Sequence, residues 1–195
     1  MATPSVFVRV PKERVGALVG PEGLVKTRIE EKLKVKLQID SETGNVDIIL
    51  SPQTDDPSVL FRAREIVTAI GRGFSPEHAF RLLNDEEAIF ALLDLHDVVG
   101  KSEADLKRIR GRVIGENGRT RRLIEELTET HVSVYGHTIG IIGDAEQVEI
   151  AKQAIQMLLK GGLHATVYRF LHAKRRELKK RKLELWESPK ERLEE

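Results

Sequence analysis

The sequence of 195 residues predicts an α+β fold: two copies of a β-α-α-β-β-α unit, then a C-terminal helical section. Three observations predict it. Residues 15–40, VGALVGPEGLVKTRIEEKLKVKLQID, align without a gap on residues 110–135, RGRVIGENGRTRRLIEELTETHVSVY, at an offset of 95. Each copy carries a Gly-x-x-Gly between two helical segments. Short stretches of strand-like alternation precede and follow each pair of helices.

The elements follow in chain order. In the first copy SVFVRV at 5–10 reads as a strand, and a helical segment leads to Gly20 and Gly23. A second helix leaves that loop, and KLQID and NVDIIL read as two strands with Asn45 near their turn. Residues 57–71 close the unit as an amphipathic helix begun by Pro57. GFSPEHAFRLLND is a linker in which Ser75 and Pro76 start a short helix. The second copy repeats the order. A strand lies around 88–96, a helix runs into Gly115 and Gly118, and a second helix keeps Leu123, Ile124 and Leu127 at helical spacing. HVSVYG and TIGII follow as strands with His137 near their turn. The last helix has Asp144 at its N-cap and Gly161 at its C-cap. The expected divisions are 1–73 for the first unit, 74–84 for a structured helical linker, 85–162 for the second unit and 163–195 for a basic helical extension with a frayed end.

Composition bounds the function. Hydrophobic residues at 40% supply a core, and 32% charged residues with no long apolar run argue against a membrane protein. No secretory signal is evident, and the absence of cysteine excludes disulfides and thiolate metal sites. A cytoplasmic location is the resulting expectation. The net charge of +1 conceals blocks of one sign: residues 107–122 hold seven bases and one acid, 74–106 hold eight acids and two bases, and KRRELKKRK at 174–182 holds seven bases and one acid. Such blocks mark directed surfaces or, alternatively, solvated helix faces.

Three patterns are decoys. Gly100-Lys101-Ser102 echoes a phosphate loop, but the glycine needed five residues earlier is Leu95. His96 and Asp97 have no nucleophile at a supporting distance. The six histidines (78, 96, 131, 137, 164 and 172) show no metal-ligand spacing, so surface or packing roles are expected and no metal or cofactor is assigned. Glu125 and Glu126 point in different directions on their helix and are not an acid/base pair.

The glycine loops suit phosphate. A glycine lets backbone approach a ligand closely, and the helix that starts there presents unpaired N–H groups and a positive dipole end. On this reading Gly115, Glu116, Asn117 and Gly118 cradle a nucleic-acid backbone through main-chain N–H groups, and Arg112, Arg119, Arg121 and Arg122 supply charge. Ile114, Val132 and Val134 seat bases, although some apolar residues here must fill the core instead. Glu116 sets a carboxylate in the second loop, which the surrounding arginines offset; the first loop is less suited, because Pro21 lacks an N–H and Glu22 adds negative charge between Gly20 and Gly23, with Lys26 and Arg28 following but no match to RTRR. It is therefore a secondary RNA-binding or protein-binding surface. Lys174, Arg175, Lys179 and Arg181 are candidate phosphate contacts. Leu185 and Trp186 beyond them pack on the body or on a partner.

This combination resembles the type I KH domain, in which a GXXG loop clamps single-stranded nucleic acid. The tandem units, GFSPEHAFRLL, GRVIGENGRT, IEELTETHVSV and GDAEQVEIAKQAIQMLLKG are similar to the archaeal, Krr/Dim-like form of the pre-ribosomal KH family that partners the Nob endonuclease. The similarity covers about residues 5–170. It implies three-stranded antiparallel sheets with helices on one face; no catalytic constellation is present in the sequence, so no enzymatic activity is expected. It also implies binding of single-stranded RNA at the 3′ region of small-subunit rRNA during ribosome maturation. Its implied protein partners are an assembly nuclease or a translation factor. A protein-interaction adaptor with secondary RNA contact is the alternative.

Overall fold

A computed structural model describes residues 4–52, 54, 56–100 and 102–187, with backbone alone for 182 and 185–187. In the first unit β1 (Ser5–Arg9), β2 (Val35–Asp40) and β3 (Asn45–Leu50) form an antiparallel sheet of order β1-β3-β2. Helices α1 (Lys12–Val19), α2 (Leu24–Leu33) and α3 (Ser58–Gly71) cover one face. The second unit repeats this with β4 (Ala88–Asp94), β5 (His131–Tyr135) and β6 (Thr138–Asp144) in the order β4-β6-β5. Its helices are α7 (Glu103–Ile114), α8 (Arg119–Thr128) and α9 (Ala145–Leu159). Short helices α4 (Pro76–Ala79) and α5 (Arg81–Asn84) occupy the linker, α6 (His96–Val99) follows β4, and α10 (His164–Glu187) ends the described chain.

Burial follows the periodicities. Leu60, Ala63, Val67 and Ile70 line one stripe of α3, and Val148, Ala151, Ile155 and Leu158 one stripe of α9; all are buried. Glu30 accepts the Leu37 N–H at 2.7 Å, and Glu125, 95 residues later, accepts the Val132 N–H at 2.8 Å. The same contact thus ties the second helix to the edge strand in both units. Ser75 caps α4 as expected, accepting the His78 N–H. Asp144 stands at the N-cap of α9, but its carboxylate takes Arg81 at 2.8 Å rather than a helix N–H. Gly161 follows the C-cap at φ +89°, donating its N–H to the Leu158 carbonyl.

The units are packed together, which changes the second sheet. One face of β6, with Ile139 and Ile141, meets its own helices. The other face carries Gly140 and Ile142, and Ile142 belongs to the core of the first unit and linker, with Phe74, Leu82 and Ala88. A β-carbon on Gly140 would lie 2.5 Å from the Phe74 ring, so only glycine admits this approach. Ser133 donates to the Arg72 carbonyl, Tyr135 bonds Glu13, and Arg62 donates to the carbonyls of Glu86 and Ala88. Helix α10 docks on the second unit: Val167 and Leu171 are buried in its core. Among the described residues no helix is long and apolar enough to cross a membrane.

Candidate nucleic-acid interface

The two glycine loops have nearly the same backbone. Gly20 and Gly115 sit at φ/ψ of 74°/174° and 73°/175°, Glu22 and Asn117 at 51°/20° and 50°/29°, and Gly23 and Gly118 at 77°/9° and 77°/12°. The first glycine of each is also sterically required. Its β-carbon would fall 2.3 Å from Val25 in one unit and 2.2 Å from the Thr120 hydroxyl in the other. The last glycines face open space: nothing lies within 4 Å of a β-carbon on Gly23, and Arg122 alone, at 3.9 Å, on Gly118. Gly115 thus sets the turn, and Gly118 presents the loop to solvent.

The loop's own bonds divide its donors. Gly115 donates to the Gly111 carbonyl at 2.8 Å and Gly118 to the Gly115 carbonyl at 3.2 Å. Among the described hydrogen bonds the N–H groups of Glu116 and Asn117 donate to none, which makes them the candidate donors for an anion. Arg122 folds back to the Asn117 carbonyl at 2.6 Å and the Gly118 carbonyl at 3.4 Å. It thereby engages two of the loop's acceptors and leaves a fixed positive charge beside it. The first unit repeats the inner bonds, Gly20 to Gly16 and Gly23 to Gly20. Pro21 stands where the second loop has Glu116, so a single N–H, that of Glu22, is left there.

The flanking residues divide into three groups. Arg119 is exposed at the start of α8, and Arg121 is half-buried 3.9 Å from Glu125. Lys26 stands 3.9 Å from Glu30 in the corresponding place. Ile114 is half-buried at the end of α7. Arg112 is corrected in part: it donates to the carbonyls of Leu158 at 3.2 Å and Gly162 at 2.6 Å, closing the C-terminal end of α9, while it still lines the opening beside the loop. The acceptors at a helix end attract a guanidinium as a phosphate does. Val132 is also corrected. It is 2% exposed, pairs in register with the buried Ile141 and fills the core, and Val134 packs half-buried behind it. Both lie on the face of β5 that meets the helices. What β5 offers a ligand is its edge, since β6 pairs with it on one side alone.

Several cations of the basic stretch on α10 are paired with acids of the chain. Lys174 pairs with Glu177 at 2.6 Å, Arg175 lies 3.8 Å from Glu126 on α8, and Arg181 pairs with Glu146 on α9 at 2.6 Å. Lys179 is exposed. The side chains of Leu185 and Trp186 lie outside the described residues. Sequence reasoning did not find Thr120, His164 and Tyr168. Tyr168 and Thr120 share a hydrogen bond at 2.8 Å, and His164 contacts the Arg112 carbonyl at 3.0 Å. With Arg108, Arg119 and the Gly115–Glu116 edge they line an open cleft of about 540 Å³ beside the loop. Their signal was a helix begun just after a Gly-Gly turn, with no pattern to say where it docks.

Residues 5–85 match the family described as the Krr1 KH1 domain, and residues 89–176 match the eukaryotic-type KH domain, type I. A KH domain-containing protein of Methanocaldococcus jannaschii is 46% identical over 180 residues, covering 92% of this chain and 78% of that protein. RNA-binding protein PNO1 of Oryzias latipes is 29% identical over 161 residues, 83% of this chain and 66% of its own length. Among solved structures, a chain of the a/eIF2alpha-aDim2p-rRNA complex from Pyrococcus horikoshii superposes with a TM-score of 0.83 at 46% identity, covering 90% of this chain and 96% of that one.

Proposed function

We propose that this chain, which belongs to the tandem KH-domain family of the PNO1 and Dim2 pre-rRNA-processing proteins, is a non-enzymatic RNA-binding protein of ribosome maturation. It holds single-stranded RNA at the 3′ region of small-subunit rRNA, and the loop of the second unit is the main clamp. One observation carries this reading: two backbone donors, Glu116 and Asn117, lie in a loop whose glycine N–H groups and whose Asn117 and Gly118 carbonyls are engaged, next to an open Gly118 and the cations Arg119, Arg121 and Arg122. Phosphate binds the N–H pair, Arg119 and Arg121 neutralise its neighbours, and Ile114 supports a base whose edge meets the free side of β5.

Fluorescence-anisotropy titration tests it. The probe is a short RNA matching the 16S rRNA 3′ end, with a scrambled control, at two salt concentrations. Gly118→Asp is expected to weaken binding about tenfold or more, because a carboxylate enters the phosphate position; Gly23→Asp is expected to change it by less than about threefold. Affinity falls with salt at a slope of about −0.7 per neutralised phosphate. Loss in Gly23→Asp alone would move the clamp to the first unit. Equal, weak binding by all three proteins would leave both loops structural and overturn the reading.

A second reading, a protein-interaction adaptor in ribosome assembly or translation initiation, is favoured by one surface. Phe61 is 63% and Ile89 39% exposed, and both line an open groove of about 680 Å³ between α3, α5 and the unpaired edge of β4. The Pyrococcus structure holds a protein partner, a/eIF2alpha, as well as rRNA. The two roles use different faces and can coexist.

A further inference from the structure

At the far end of the second sheet, three side chains meet that no sequence spacing joins. Asp94 ends β4, His96 opens α6, and His137 sits in the turn between β5 and β6. The Leu95 N–H donates to the His137 carbonyl at 2.8 Å and the His96 N–H to the Asp94 carboxylate Oδ1 at 2.9 Å, so one backbone bond and one backbone-to-carboxylate bond fix the corner. Arg110 of α7 donates to the Gly136 carbonyl at 3.1 Å and braces the turn from below.

We propose that Asp94, His96 and His137 form a binding site for one divalent transition-metal ion of the zinc class. The two carboxylate oxygens face different rings: one lies 3.4 Å from His96 Nδ1, the other 3.7 Å from His137 Nε2. All three donor atoms lie within 4.8 Å of one another. Ligand atoms bound at about 2.1 Å in tetrahedral or octahedral geometry stand about 3 to 3.5 Å apart, so small side-chain rotations close the set on one ion. The rings stack at 4.4 Å and 18°, an arrangement that two protonated imidazoles disfavour and two neutral ligands allow. Imidazole with carboxylate, and no thiolate, suits Zn²⁺, Co²⁺ or Ni²⁺ rather than Mg²⁺ or Ca²⁺. The side chains are 34% to 41% exposed, so solvent completes the coordination shell. The bound ion joins the β5–β6 turn, and with it the end of the edge strand β5, to the β4–α6 corner.

The test is calorimetric titration of tag-free, chelator-stripped full-length protein with Zn²⁺, and the visible spectrum with Co²⁺. One ion per chain is expected, with a rise in Tm on loading. His137→Gln and Asp94→Asn should each lower affinity at least about tenfold and abolish the Tm rise, since each removes one of three ligands. His78→Gln, at the other stacked histidine pair, should leave binding unchanged. Comparable binding by wild type and His137→Gln, loss of binding in His78→Gln, or no binding by a wild type that remains folded, would each overturn the proposal.

Discussion

Gly115 and Gly118 are the same residue type three positions apart, yet they answer to different constraints. At Gly115 the backbone lies at φ 73°, ψ 175°, and a β-carbon would overlap the Thr120 hydroxyl at 2.2 Å. Gly115→Ala should therefore cost about 3 kcal/mol or more, combining backbone strain with overpacking. Gly118 is left-handed but open, so Gly118→Ala should cost only about 1 kcal/mol. Urea denaturation of the two variants, compared with their RNA titrations, separates the roles: a larger loss of stability at Gly118 would contradict this assignment. The glycine pattern was legible in the sequence because positive φ is a local demand. The role of Arg112 was not, because a guanidinium beside a phosphate loop and one capping a neighbouring helix have the same sequence signature.

Where elements meet, the linker supplies the pH-sensitive contact. His78 of α4 stacks on His131 of β5 at 4.0 Å, and burial, aided by His78 and Arg81, lowers the His131 imidazole to about 4. The unfolded imidazole titrates near 6.5. Between those two values the unfolded chain binds more protons than the folded one, so stability is full above about pH 6.5 and declines towards pH 4. Thermal melts across that window should show Tm falling with pH, less steeply in His131→Gln; identical slopes would assign the decline to other groups. Strand alternation was likewise readable for β5, with Val132 and Val134 on one face. Which face met the helices was decided by the pairing of β5 with Ile139 and Ile141 of β6, a contact beyond local pattern.

Across the whole molecule, α10 completes a core as well as carrying charge. Val167 and Leu171 are buried among α8 and α9 residues, and each contributes about 1.5–3 kcal/mol through apolar burial. Truncation before His164 should lower stability by about 3–6 kcal/mol, whereas truncation after Leu178 should keep Tm close to that of the full chain. A stable protein lacking all of α10 would show that the helix is merely appended. The same docking places Tyr168 and His164 beside the loop and pairs Arg175 and Arg181 with acids of the second unit.

The sequence by itself determined the repeat, the order of elements, the two loops and the weaker donor set of the first. These are consequences of neighbouring residues: periodicity sets helix and strand, glycine permits positive φ, and proline removes an N–H. The tertiary structure alone decided that the linker buries the outer face of the second sheet through Phe74 against Gly140. It alone placed Val132 in the core, turned Arg112 into a helix cap and brought Asp94, His96 and His137 to one corner. Each of these depends on which surfaces exclude water together, and that is a property of the packed chain rather than of any short stretch of it.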